Sequence, residues 1–526
     1  MASQGAEWEE VSMEETDTML SAPGLPVSDD GYSREAKERE GYSVDEALDR
    51  MGFGVFQMLM LLYTGVAWMG DGMEMLVLSF LGPSAHCEWG ISPGEQSALS
   101  SAVFLGMMVG APLWGAVADN HGRKYAFFAT AFATFAFGLA SAVAPMYWSL
   151  LLARALVGFG LGGVPIAFSL FLEFLPSEGR GKWGVVIELF WTFGSITEAG
   201  LAWAILPSYS WRVLLVASAT PLIVLISAYA ILPESAHFLS AKGRVEDATV
   251  VLRRIATFNR KQLPRGRLLP ARTEDTGFKL RDVTKLLRHD RRVTTSLVWT
   301  IFFGVAFSYY GLVLLATELE LASEGPDGNK CKPHSAARLD AEGYRSIFLT
   351  AIAEIPGLML AGILVDTVGR KKSLMVLMSI CGLCFFLLCF DPDIIGNSAL
   401  TGFQFAARAT AMGSFTLSYV YVAEVYPTSV RSLGTGFANS FARIGGIIAP
   451  LCAVQLLEFG EKQAALVVFG LIAIFVAGCA LMLPYETMGM AMGDDSEEEE
   501  EQAAEQHERN KELATKGDAG LELQQR

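Results

Sequence analysis

Charge is what this chain has least of. Asp, Glu, Lys and Arg make up 18% of its 526 residues, against about 25% in a soluble domain. The shortfall is uneven. Charges crowd into the first 50 residues, one central segment and the last 35, leaving apolar blocks of roughly 20 residues elsewhere. That pattern excludes an ordinary soluble domain and implies a polytopic membrane protein. The net charge of -16 comes largely from the ends, such as Asp494 to Glu501, DDSEEEEE. It describes solvated tails rather than a partner for a cation.

Other absences narrow the function. The phosphate-binding pattern G-x4-G-K-[ST] occurs nowhere, so primary pumping driven by a nucleotide is not expected. The seven cysteines show no metal-ligand spacing. Neither a metal nor a cofactor is expected, and no enzyme activity. The first 50 residues are acidic and lack the apolar run of about 7 to 15 residues of a signal peptide, so the first span should serve as the targeting signal. Cys381, Cys384, Cys389, Cys452 and Cys479 fall within apolar stretches and read as core residues. Cys87 and Cys331 fall in segments read as outer loops, where an oxidised pair could persist.

What is present is a series of twelve apolar spans, at roughly 53–81, 97–117, 125–144, 148–173, 183–206, 212–232, 293–317, 344–365, 373–391, 397–423, 432–457 and 464–483. Each is long enough to cross a hydrocarbon core of about 30 Å. The layout is six, a linker, then six: a disordered cytoplasmic tail (1–50), a six-helix bundle (51–232), a linker (233–292), a second bundle (293–485) and an acidic disordered tail (486–526). Basic turns at Arg123 and Lys124, Arg180 and Lys182, and Arg370 to Lys372, with fifteen Lys and Arg in the linker, place that side and both termini in the cytoplasm. The loop at 318–343 carries Lys330, Lys332 and Arg338 but offsets them with acids. The linker's Ala248, Val251, Leu252 and Ile255 are spaced for an amphipathic helix lying at the inner surface. Positive-inside topology accounts for its charge without nucleic acid. Glu15 to Leu20 loosely resembles an acidic dileucine sorting signal, and Ser496 lies in a run that an acid-directed kinase would favour. Sorting adaptors or a kinase are therefore candidate partners, and either the plasma membrane or a vesicle membrane fits.

The chain also repeats itself. Gly115 to Lys124, GAVADNHGRK, returns as Gly362 to Lys371, GILVDTVGRK, with Asp119 and Asp366 separated by 247 residues. Glu173 and Arg180 match Glu424 and Arg431, and Pro233-Glu234-Ser235 matches Pro484 to Thr487. With these landmarks, residues 50 to 490 resemble a major facilitator superfamily transporter. The closer likeness is to the synaptic-vesicle-glycoprotein-related (SVOP-like) group, carried by GVAWMGDGMEMLVLS (65–79), HCEWGI (86–91), VGFGLGGVPIAFSLFLEFLP (157–176), AEIPG (353–357) and YVYVAEVYPTSVRSLG (419–434). The resemblance implies an all-α membrane fold of two pseudo-symmetric six-helix bundles. The double glutamine that sugar porters carry in span seven is missing from residues 299 to 311, which counts against hexose as the cargo.

Ionisable groups at bilayer depth are costly unless paired or wet, and so mark function. Here they are Asp71, Glu74, Arg154, Glu188, Glu198, Glu354, Arg408 and Arg443. Asp71 and Glu74 share a helix face. A first-span Asp with a fourth-span Arg resembles the proton-coupling pair of bacterial sugar symporters, which implies that Asp71 pairs with Arg154. Within the second half Glu354 is expected beside Arg443, and Glu188 aligns with Asn439. Trp191, Tyr309, Tyr310, Tyr419 and Tyr421 add aromatic walls. Acids, arginines and aromatics together suit an organic ion or zwitterion. Asp119, Arg123, Glu173 and Arg180, and in the second half Asp366, Arg370, Glu424 and Arg431, are expected to form an inner gate that closes when the cavity faces outward. The expected activity is proton-coupled secondary transport of a small organic ion by alternating access. The alternatives are a facilitative uniporter, including one for a sugar-like solute, and a ligand-binding membrane protein without flux.

Overall fold

The computed structural model describes residues 41–177, 179–270, 286–288, 291–323, 331, 339–390, 396–456 and 462–488. The sorting and kinase motifs at Glu15 to Leu20 and Ser496 lie outside them. Local sequence signals set the element ends. Ser43 and Glu46 cap each other's backbone at the start of the helix Val44–Met51, and Gly52 ends it at φ 64°. The chain then bends by 106° into the first span, Val55–Trp89. Ser92 and Glu95 form a second capping box that starts Pro93–His121. The order continues through Arg123–Ala142, Tyr147–Leu172, Arg180–Ile205 and Trp211–Ala230. The second six are Arg292–Ser323, Ala341–Thr367, Arg370–Leu387, Asn397–Val425, Val430–Gln455 and Lys462–Met482.

Among the described residues nine of these helices are long and apolar enough to cross a membrane, or ten if the bent pair at Met51 and Val55 counts as one span. Arg370–Leu387, with three basic residues in its first turn, and Asn397–Val425, which carries Arg408 and Glu424, complete twelve. Helix packing is the same in both halves. The first span packs on the fifth and the second on the fourth, as the seventh packs on the eleventh and the eighth on the tenth. An even number of crossings puts the first and last described residues, Gly41 and Met488, and the turns at Arg123 and Arg370 at one end of the bundle, here called the basic end.

Two boundaries differ from the sequence reading. Val44–Met51, which begins within the expected tail, is a helix with Val44, Ala47, Leu48 and Met51 buried. Gly41–Tyr42 also pairs in parallel with Arg267–Leu268 of the linker. The first span continues to Trp89 through Pro83, so Cys87 sits on its last turns rather than in a loop. Cys87 is nevertheless bonded to Cys331, with Cα atoms 5.3 Å apart. In the linker, Ala236–Ala241 and Val245–Asn259 are helices, and Ala248, Val251, Leu252 and Ile255 form the buried face of the second, as their spacing predicts.

The halves meet mainly away from the basic end. The second span packs on the eleventh and the fifth on the eighth, contacts related by the pseudo-twofold. Ser97 and Ser101 donate to the carbonyls of Pro450 and Ile447 at 3.1 and 2.7 Å. Phe80 stacks on Tyr344 and Trp203 tilts against Phe348. The deepest such link among the described residues is Trp191 to Tyr309, near mid-bundle.

Candidate transport site

Two ion pairs are sealed inside the bundles. Arg154 of the fourth span meets Glu74 at 2.9 Å, with side chains 0% and 3% exposed, and its Nε donates to Ser141. Arg408 of the tenth span meets Glu354 at 2.8 Å, with side chains 1% and 0% exposed. Both expected pairings are therefore corrected: Arg154 holds Glu74 rather than Asp71, and Glu354 holds Arg408 rather than Arg443. The first correction has a geometric cause. Asp71 lies three residues, about 4.5 Å of helix rise, further toward the basic end than Glu74. Glu74 is the acid level with Arg154. The second follows from packing: the eighth span lies on the tenth, whereas the eleventh, which carries Arg443, lies on the seventh.

The two pairs are unequal in their surroundings. Glu198 accepts from Ser218 at 2.9 and 2.7 Å beside the Glu74 and Arg154 pair. Glu354 also accepts from the Tyr309 hydroxyl at 2.7 Å, and that hydroxyl in turn accepts from the Trp191 indole of the other half at 2.8 Å. A chain of hydrogen bonds thus runs from the fifth span across the interface to Arg408.

A second group is half-exposed. Glu188, Asn439, Tyr419 and Arg443 are neither sealed nor fully open, and Trp68 and Phe415 share that state. Trp68 donates to Glu188 at 3.1 Å. Arg443 donates to Tyr310 at 3.3 Å, and Tyr419 donates to Asn439. Tyr310, Phe415 and Tyr419 pack ring to ring. Asp71 lies at their margin, 4% exposed, with one carboxylate oxygen buried and without a partner. The charges that reach it are Arg443 of the other half and the acids Glu74 and Glu188. Tyr421, expected among the aromatic walls, instead donates to the Tyr485 carbonyl. Sequence reasoning missed Trp68 and Phe415, which carry no signal apart from their neighbours in space.

Two family models match, "Sugar (and other) transporter" over residues 73–317 and "Major Facilitator Superfamily" over 346–516. The chain is 40% identical to synaptic vesicle 2-related protein of Rattus norvegicus, over 86% of this chain and 83% of the relative. The chain belongs to the major facilitator superfamily. It is also 38% identical to organic cation/carnitine transporter 7 of Arabidopsis thaliana, over 86% of this chain and 96% of that one. Likeness extends to the putative transporter SVOPL of Homo sapiens at 32% identity, over 87% and 94%. In fold it resembles the partially occluded inward-open xylose transporter XylE of E. coli, with a TM-score of 0.64 at 16% identity, over 83% of this chain and 99% of that one.

At the basic end of this major facilitator the repeated motif builds the same joint twice. Gly122 and Gly369 turn the chain at φ 106° and 96°, where a side chain is strained and a Cβ would run into the carboxylates of Glu234 and Glu486. Those carboxylates cap the next helices, accepting from the Lys124 amide at 3.0 Å and the Arg370 amide at 2.7 Å. The repeat shows Glu234 and Glu486 as landmarks; the structure gives both the role of capping the positive end of the following helix. Arg123 bridges Asp119 at 3.1 Å and Glu173 at 3.2 Å. Arg370 grips Glu424 through two nitrogens, both at 2.9 Å. Asp366 bears on Arg370 only through its field. Arg180 departs from its expected set and binds Asp45 at 3.2 Å and the Leu175 carbonyl. Arg431 likewise donates to the Tyr426 carbonyl. Each cluster lies within its own half.

Proposed function

We propose that the chain transports a small organic ion or zwitterion by alternating access, coupled to protons, with the basic end in the cytoplasm. The observation that carries this reading is the division of the intramembrane charges. Glu74 with Arg154 and Glu354 with Arg408 neutralise each other out of reach of solute. Glu188, Arg443, Asn439 and the rings of Trp68, Phe415 and Tyr419 are left half-buried. A ligand carrying both a charged head and an apolar body meets complementary groups there. The name of the Arabidopsis relative, an organic cation/carnitine transporter, agrees with that class. Asp71 is the proton site in this reading, since an unpartnered carboxylate at bilayer depth is relieved by a proton. The Arg123 and Arg370 clusters are the gate that engages when the basic end closes. The pair of Arg123 with the exposed Asp119 is worth about 0 to 1 kcal/mol, a scale suited to remaking on every cycle.

The test is a thermal-shift screen of the purified protein against organic cations, carboxylates, zwitterions and sugars, followed by uptake of each hit into proteoliposomes. Accumulation driven by an imposed pH gradient is expected for a charged or zwitterionic hit. Uptake that equilibrates regardless of the gradient would mean a uniporter, and stabilisation without uptake would mean a binding protein.

A further inference from the structure

Beside the sealed pair of Glu74 and Arg154 lies a second carboxyl group that the pair does not use. Glu198 of the fifth span is 0% exposed, and its hydrogen-bond partner among the described residues is a neutral hydroxyl, Ser218 of the sixth. Close packing brings the three acidic and basic groups together. Gly72 and Gly194 let the first and fifth spans touch backbone to backbone, since a Cβ on either would run into the carbonyl of Trp191 or of Met69. Glu74 and Glu198 follow those glycines by two and four residues, which sets them within about 3 Å of the same depth. From the third span, a Cβ on Gly138 would lie 3.7 Å from a Glu74 oxygen and 4.0 Å from Ala219, the neighbour of Ser218.

Neither the charges nor the hydrogens balance if Glu198 is ionised. Arg154 is one cation for two carboxyl groups: it gives Nη1 to Glu74 and Nε to Ser141, and its Nη2 has no partner. The sixth span brings Ser218 to Glu198 and the eighth brings Phe348 against Gly200, so the charges that bear on Glu198 are Glu74 and Arg154. Two carboxylates would leave this water-free cluster with a net negative charge, which a proton relieves. The hydroxyl oxygen of Ser218 also lies 2.9 and 2.7 Å from the two Glu198 oxygens and 2.8 Å from the Leu214 carbonyl, three acceptors for one hydrogen. A proton on Glu198 supplies the second hydrogen that these contacts need.

We propose that Glu198 holds a proton and is a reserve proton donor to Glu74. When the proton passes from Glu198 to the Glu74 carboxylate, the Arg154 guanidinium releases Glu74 and pairs with the Glu198 carboxylate so formed, and the cluster keeps its charge. This site is distinct from Asp71 and depends on the pairing of Glu74 with Arg154, not on the transport reading. Infrared spectroscopy of the full-length protein, purified in a maltoside detergent that has no carbonyl of its own, tests it. All variants carry Asp71→Asn, so that Asp71 contributes nothing to the carboxyl signal. At about pH 8, well above the ordinary carboxyl range near 4, the C=O stretch of a protonated carboxyl group should be present and should lose intensity on adding Glu198→Gln. Adding Ser218→Ala instead should shift the band without abolishing it, which keeps the test open if Glu198→Gln folds poorly. Adding Glu74→Gln leaves Arg154 without its anion, and the guanidinium should then draw the proton off Glu198, so that the band fades as pH rises from about 7 to 9. Unchanged intensity with Glu198→Gln, or a band that Ser218→Ala leaves unmoved, would overturn the protonated Glu198. A band that holds across that pH range in the Glu74→Gln variant would overturn the exchange of partners by Arg154.

Discussion

Replacing Glu74 by Gln removes one charge from a sealed pair and leaves the Arg154 guanidinium, 0% exposed, facing a neutral amide. One of its nitrogens already lacks a partner. Ser141 and the nearby Glu198 remain, but Glu198 is engaged by Ser218. Breaking a buried pair from one side costs about 3 to 5 kcal/mol. Asp71→Asn, three residues away on the same helix, leaves no cation without a bonded partner, because none bridges Asp71. Its cost should stay near the ordinary value of about 1 kcal/mol for a point change. Thermal unfolding of both variants in one detergent, followed by intrinsic fluorescence, makes the comparison. Glu74→Gln should lower the midpoint several-fold more than Asp71→Asn, and adding Arg154→Met to Glu74→Leu should recover much of the loss. Equal shifts for the two variants, or a larger one for Asp71→Asn, would refute the assignment of Glu74 as the partner of Arg154.

Two further predictions concern the halves. Trp191→Phe deletes the indole donor to Tyr309, a bond worth about 0.5 to 1.5 kcal/mol net, and should shift the balance about 2- to 10-fold toward the form closed at the basic end. Spin labels at the exposed Lys182 and Lys372 report this as a gain in the shorter-distance population; an unchanged distribution would mean that the Trp191 to Tyr309 bond does not hold the halves in this form. The Cys87–Cys331 bond joins the first span to the far-end loop, so a membrane-impermeant reductant applied to the exterior of intact cells expressing the protein at the plasma membrane should open it. Reduction reached only from the cytoplasmic side would reverse the orientation proposed for the basic end.

The fold was legible because its signals are one-dimensional. Span length, basic turns and the repeat from Gly115 and Gly362 follow from composition along the chain, and the helix Val245–Asn259 follows from periodicity. The partners of buried charges were not legible in the same way. Composition ends the first span near residue 81, but the helix runs to Trp89 through Pro83, and a three-residue step decides whether Asp71 or Glu74 meets Arg154. Glu354 posed the same difficulty: two arginines lie in the same half, and only the packing of the eighth span on the tenth selects Arg408 over Arg443. The shared joint at Gly122 and Gly369 was visible as a repeat, yet the caps from Glu234 and Glu486 required the sixth and twelfth spans to be folded back beside it.

The proposed proton coupling depends on Asp71 as the proton-bearing group beside the half-buried site. Uptake of a substrate found by the stability screen, into proteoliposomes of wild type and Asp71→Asn with and without an inward proton gradient, tests it most directly. The wild type should accumulate the substrate above equilibrium only with the gradient, while Asp71→Asn should still exchange it but no longer concentrate it. Gradient-driven accumulation by Asp71→Asn at the wild-type level would contradict the account.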